Sequence, residues 1–303
     1  MDFSKVQELI SNPRLVTYSR SLGIESEDLL AAYAWHLNVV SNFYPLVQLI
    51  EVALRNAINN QGLQAYSATP WFDALPSKSE IDQDGNLKDT EMVGKFKENV
   101  KSAKKKAKKI LKDKGLDVEP NIDQIIAQTD FSTWEYILDK WFYDGGNNSF
   151  LWPSRFYKVF TKPPRYEGTN PMFHQRDIIR RRIEEVRNFR NRLSHNEPIW
   201  RVSEVNCSED VFGYLEEKYK NIMQLAYWIS PQLKLFIVKM GFDSRIRLCL
   251  TNHELRRFLA KIEISQIRKI EDFAGLVQDM HTTNRVVSFK YEESAGLILP
   301  THV

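Results

Sequence analysis

The chain has 303 residues, 43% apolar and 27% charged, the mix of an ordinary folded protein. That length suits one large domain or two small ones, and 12 glycines with 12 prolines are too few for a fold of many short strands and tight turns. A formal net charge of +3 does not by itself imply a nucleic-acid partner, and Cys207 and Cys249, far apart and without CxxC spacing, argue against a disulfide framework or a zinc site.

In chain order, the N-terminus lacks a basic segment followed by an apolar run, so no signal peptide is expected. No apolar stretch reads as long enough to span a bilayer, so no membrane partner is expected and the cytoplasm is the expected compartment. Residues 26–60 read as one or two long helices. Ser26 or Asp28 can cap the start, Pro45 would begin a second helix or kink the first, and Gly62 would stop it. Residues 63–121 read as an insertion. Its first part is loop, with Pro70, Pro76 and the turn-like Asp84-Gly85-Asn86. Its second part is a lysine-rich helix ended by Gly115, in which Lys101, Lys104, Lys105, Lys108 and Lys112 share one broad face. That face reads either as an RNA-binding arm or as a solvated surface.

A helix is expected over residues 122–142, a loop over 144–148 and irregular chain over 151–170. Trp134, Trp141 and Trp152 read as core. A helix then runs from Asn170 or Pro171 to about Asn196, with Thr169 or Asn170 as its N-cap and Pro171 as its first residue. Helical segments near residues 211–230 and 252–280 finish the chain. The expected class is all-α: a helical bundle over residues 1–232 and a C-terminal helical extension over 233–303. No cofactor and no metal are expected. His36, His174, His253, His281 and His302 have no ligand-like spacing and read as non-functional.

The helix ending near Asn196 carries the chemistry. At about 100° per residue, Ile179, Ile183, Val186 and Leu193 form one apolar stripe with Phe189 at its edge. Arg190 falls inside that stripe, about 20° from Ile179. A guanidinium facing a core needs a carboxylate or carbonyls, because an unpaired buried charge is very costly. His195 comes near the end of the helix, since Pro198 disfavours a helical residue before it. Histidine at such an end suits acid–base work, or it is simply a C-terminal cap. Asn191 and His195 share a face, and Arg187 continues that line. Arg190 and His195 are about 140° apart on a regular helix, so they would not meet on one face. A two-fold dimer would relieve this by facing the residues of one chain with those of the other.

Upstream, residues 46–59 form a helix apolar on almost every side. Only Gln48, Glu51, Arg55 and Asn59 make a polar stripe, which implies burial among other polar groups. Glu51 is the candidate partner of Arg190. Arg55 would reach a phosphate or pair with Glu51 at i,i+4.

Arg190-Asn191-Arg192-Leu193-Ser194-His195, continued by Asn196-Glu197-Pro198-Ile199, resembles the nuclease motif of the HEPN superfamily in its Abi-like (abortive infection) branch. Asparagine stands here where that pattern has a second histidine. The run Glu51-Val52-Ala53-Leu54-Arg55-Asn56-Ala57-Ile58 also resembles a signature of these proteins. The resemblance implies a HEPN-like helical bundle and a metal-independent endoribonuclease acting as a homodimer on RNA, with a cleft at the dimer interface. It implies Arg190, Asn191 and His195 as catalytic residues, with Glu51 and Arg55 in support. Arg187 and Arg192, with Lys101, Lys104, Lys105 and Lys108, are the RNA-binding candidates. A role in phage defence or as a toxin is implied, with a possible antitoxin or regulatory protein as partner. The alternative is a non-catalytic helical dimer that binds RNA or a protein.

Overall fold

The computed structural model describes residues 4–67, 70–262, 264–283 and 285–300. His302 lies outside them. The N-terminal helices are α1 (Ser4–Ile10) and α2 (Asn12–Leu22), and a 3₁₀ turn at Ser26–Asp28 leads into α3 (Leu29–Ala65). Strands β1 (Ser79–Ile81) and β2 (Leu87–Asp89) precede α4 (Glu91–Asp113). Short helices follow: α5 (Ile122–Ile126), α6 (Phe131–Tyr136), α7 (Leu151–Ser154) and α8 (Phe156–Val159). The long α9 (Pro171–Ser194) and α10 (Ser208–Ile229) come next, then α11 (Pro231–Lys239), α12 (Phe242–Cys249) and α13 (Asn252–Phe258). Strand β3 (Ser265–Ile267), helix α14 (Ile270–Thr283), β4 (Val287–Tyr291) and β5 (Ser294–Ile298) complete the chain.

The protein is predominantly helical, with 66% helix and 7% strand. The strands correct the purely helical expectation, above all in the C-terminal extension. There β3 runs parallel to β4, and β4 pairs antiparallel with β5. Parallel neighbours need a crossover, and α14 supplies it. Phe289 pairs with Gly296 across the hairpin. A Cβ on that glycine would come within 2.3 Å of the Phe289 ring, so the bare glycine leaves room for the aromatic side chain.

Two compact units divide the chain. One contains Met1–Leu46, Phe189–Lys220 and Leu235–Val303, and the other Val47–Asn188 and Asn221–Lys234. Helices α3, α9, α10 and α11 each contribute residues to both.

In the first unit the core is aromatic. Tyr18, Trp35, His36, Phe43 and Trp200 are fully buried. Trp35 donates its indole N–H to the carbonyl of Cys249 at 3.0 Å. Phe43 meets Phe189 edge-on at 5.2 Å, a favourable aromatic geometry. Both cysteines are free. The thiol of Cys249 is buried, and burial raises its pKa well above the ordinary value.

In the second unit α4 lays one apolar residue per turn into the core: Val93, Phe96, Val100, Ala103, Ala107 and Leu111. Thr90 caps its start. Gly115, at φ 76°, ends it as expected, with Leu116 N–H on the Leu111 carbonyl at 3.0 Å. The single helix expected over 122–142 is instead α5, α6 and a 3₁₀ turn. Asn121 caps α5 through a capping box, and Asp139 caps the 3₁₀ turn, so local side-chain bonds interrupt the run. Trp134 and Trp152 are buried as expected, and Trp141 is half-buried.

Helix α3 is one helix with Pro45 inside it, one of the two readings the sequence left open, and it differs from expectation in two ways. It does not stop at Gly62, because the Trp71 ring packs against that glycine and holds the last turn in place. It is also long and apolar enough to cross a membrane by length and composition, where no such stretch was expected. The core helix of a folded unit meets the same description, and Trp35, Val39, Phe43, Leu46, Val47, Ile50, Leu54 and Ile58 along it are buried.

Candidate functional site

The apolar stripe of α9 is buried as its periodicity requires: Ile179, Ile183, Val186, Phe189 and Leu193 are all at most 4% exposed. Arg190 lies among them and is half-buried. Its Nη1 donates to Oδ1 of Asn191 at 3.4 Å, a long bond. The Ser194 hydroxyl bonds back to the Arg190 carbonyl at 3.0 Å.

The helix then ends in a defined cap. Asn196 sits in the left-handed region at φ 48°. Its N–H reaches the Leu193 carbonyl at 3.2 Å, and the Glu197 N–H reaches the Arg192 carbonyl at 3.2 Å. These are the two bonds of a Schellman motif, in which the residue after the C-cap is left-handed. His195 is therefore the C-cap residue, and its side chain is exposed. Asparagine tolerates the left-handed conformation better than most residues. That is a local physical reason for asparagine at position 196, where the family pattern has histidine.

The chain after the cap is pinned. Arg192 Nη1 donates to the Trp200 carbonyl at 3.0 Å. Trp200 is buried against Tyr18, Trp35 and His36, with ring centroids 5.6, 6.2 and 5.8 Å away. His36 has no exposed surface. Burial lowers its pKa from 6.5 to about 4, with the Glu197 backbone acting in the opposite direction. Lacking ligand-like spacing, His36 carries no functional expectation from sequence, yet it lies directly beneath the strap that follows the motif. Only the neighbouring Trp35 and the apolar company along α3 hint that position 36 is core.

Arg190, Asn191, Arg192 and His195 thus belong to one unit and one helix end. The structure does not turn Arg190 and His195 onto one face. α9 is helical through Ser194, so the separation of about 140° persists.

Glu51, Arg55 and Arg187 belong to the other unit. Glu51 is 8% exposed and Asn59 3% exposed, so the polar stripe of α3 is buried as the sequence implied. Arg55 is half-buried, and its Nε has no hydrogen-bond partner among the described residues. Asn59 accepts the Trp71 indole N–H at 2.8 Å. Arg187 donates to Glu135 Oε2 at 2.7 Å, and Arg180 lies 3.6 Å from the same carboxylate. Burial raises the pKa of Glu135, and Arg187 and Arg180 pull it back. This pair ties α9 to α6, a role the sequence did not foresee for Arg187. Arg192 is likewise engaged, with the Trp200 carbonyl.

The lysine face of α4 is partly neutralised. Lys104 pairs with Asp73 at 2.7 Å and Lys108 pairs with Glu119. Lys101 and Lys105 are exposed and form no salt bridge among the described residues. Among the described residues no three His, Cys, Asp or Glu side chains gather as a metal centre needs.

The chain matches no protein-family model, no curated protein and no solved structure.

Proposed function

We propose that the chain is a cytoplasmic endoribonuclease of the HEPN type, related to the Abi-like proteins, acting without metal as a homodimer on RNA. The observation that supports this reading is an exposed imidazole, His195, at a rigidly capped helix end, five residues after a half-buried arginine in an apolar seam.

Metal-independent cleavage requires a base for the 2′-hydroxyl proton, an acid for the departing 5′-oxygen, and positive charge on the phosphorane. In a dimer, a neutral His195 takes the 2′ proton while the 2′ oxygen bonds to phosphorus. A protonated His195 of the second copy gives its proton to the 5′-oxygen as the P–O bond breaks. Arg190 carries the charge on the phosphoryl oxygens, and Asn191 orients Arg190. The products are a 2′,3′-cyclic phosphate and a 5′-hydroxyl. Lys101 and Lys105, which form no salt bridge among the described residues, are freer to attract RNA than their paired neighbours. Phage defence or a toxin–antitoxin system, with an antitoxin or regulatory partner, is the biological setting the reading implies.

The test is incubation of RNA with purified protein in EDTA. Wild type should cleave and leave cyclic phosphate ends, and His195→Ala and Arg190→Ala should each be at least about 100-fold slower. Equal background in all three proteins rejects the enzyme. The regularity of α9 favours the second reading, a non-catalytic dimer that binds RNA or a protein. RNA retained by all three proteins without cleavage would select it.

A further inference from the structure

Away from the motif, α13, the β3 segment, the end of α14 and the start of β4 line a cleft of about 470 Å³, all within one unit. This is the size range of small-molecule sites, roughly 300–1,000 Å³. Four basic side chains line it: His253, Arg256, Lys261 and Arg285. Two of them are oriented by backbone carbonyls. Arg256 Nη2 donates to the Lys261 carbonyl at 3.0 Å, and His253 Nε2 bonds to the Val286 carbonyl at 2.8 Å. A backbone carbonyl fixes a donor without neutralising it. Among the described residues Lys261 alone of the four has a carboxylate partner, Asp28. Arg256 and Arg285 are exposed and form no salt bridge among the described residues.

The cleft has a second wall of opposite character. Asp279 and Thr283 line it from the last turn of α14, where the helix dipole is negative. Ile262, half-buried, adds apolar surface. A bare anion would meet repulsion from this wall, and a cation would meet it from the other. A ligand that satisfies both carries phosphate at one end and hydrogen-bond donors at the other.

We propose that this cleft binds a mononucleotide. The phosphate lies against Arg256, Lys261 and Arg285, in the fork geometry that guanidinium offers to phosphate. The ribose hydroxyls donate to Asp279, and the base rests on Ile262. The cleft shares no residue with the Arg190–His195 motif, so this site does not depend on the nuclease reading.

The test is calorimetric titration of the full chain with the four ribonucleoside 5′-monophosphates, with inorganic phosphate and with adenosine, at one ionic strength. At least one nucleotide should bind with a Kd of about 1 mM or tighter, at least about tenfold tighter than phosphate or adenosine. Arg256→Gln and Arg285→Gln should each weaken it about tenfold, and Asp279→Asn should narrow the margin over phosphate. Lys290→Gln, on β4 but outside the cleft lining, should leave it unchanged. Arg256 and Arg285 are exposed, so thermal melts of their variants should match wild type and separate lost binding from lost fold. No saturable binding, phosphate binding as tightly as every nucleotide, or binding indifferent to both arginine variants would each overturn the proposal.

Discussion

His36 lies between Tyr18, Tyr33 and Trp200, with ring centroids 5.4, 6.1 and 5.8 Å away, and it has no surface open to solvent. Its pKa near 4 in the folded chain lies below the ordinary 6.5 because charging it there means charging a buried ring. The unfolded chain therefore binds the proton more readily. The contribution to stability is complete above about pH 6.5 and is lost as pH falls toward 4. Each tenfold weakening of proton affinity is worth about 1.4 kcal/mol, so the loss approaches about 3 kcal/mol. Urea melts of wild type and His36→Phe between pH 7 and 4 check this. The wild type should lose more stability than the variant over that window. Parallel curves would mean that the imidazole is not held neutral. Asn196 makes a related point about a single residue. Its left-handed φ of 48° is a backbone requirement of the cap, so its identity is decided by conformation before chemistry.

Among elements, α9 was the most legible from sequence. Its period placed Ile179, Ile183, Val186 and Leu193 in the core, Pro171 at its start and Pro198 beyond its end, and the structure agrees on each. The buried polar stripe of α3 was legible for the same reason, since few apolar faces were left over. What periodicity could not supply was tertiary. The sequence marked Gly62 as a stop, yet α3 continues to Ala65 because Trp71, twelve residues from Asn59, folds back and hydrogen-bonds to it. Likewise Glu135 meets Arg187 from 52 residues away, and no local signal announces such a pair. The C-terminal strands are short, and a parallel pairing across α14 leaves no hairpin signature for β3.

The Gly62–Trp71 contact gives an element-scale expectation. A Cβ at position 62 would lie 2.4 Å from two atoms of the Trp71 ring. The ring is fully buried and cannot step aside. Gly62→Ala should cost about 1–3 kcal/mol by overpacking, despite the better helix propensity of alanine. Asn59→Ala should cost a similar amount by orphaning the indole N–H. Chemical denaturation measures both. An unchanged midpoint for Gly62→Ala would show that the end of α3 is looser than this packing requires.

At the scale of the whole molecule, the proposed chemistry makes the number of chains decisive. The motif offers one imidazole per chain, which cannot be base and acid in the same turnover, and α9 does not turn Arg190 toward its own His195. In the proposed mechanism two copies across a dyad would supply the two imidazoles, so activity should follow the intact dimer and not the chain. Mixing equal amounts of wild type and His195→Ala, with time for subunit exchange, separates the cases. If both imidazoles are needed, only dimers of two wild-type chains cut, and about a quarter of the activity of an equal total of wild-type chains remains. If each chain works alone, about half remains. Dilution below the dimer dissociation constant should abolish cleavage in the first case and leave the rate per chain unchanged in the second. A quarter together with loss on dilution would tie the chemistry of α9 to a two-fold assembly. A half, or a rate per chain indifferent to dilution, would require a second proton-transfer group within the same chain, for which the exposed surface around His195 would then have to be searched.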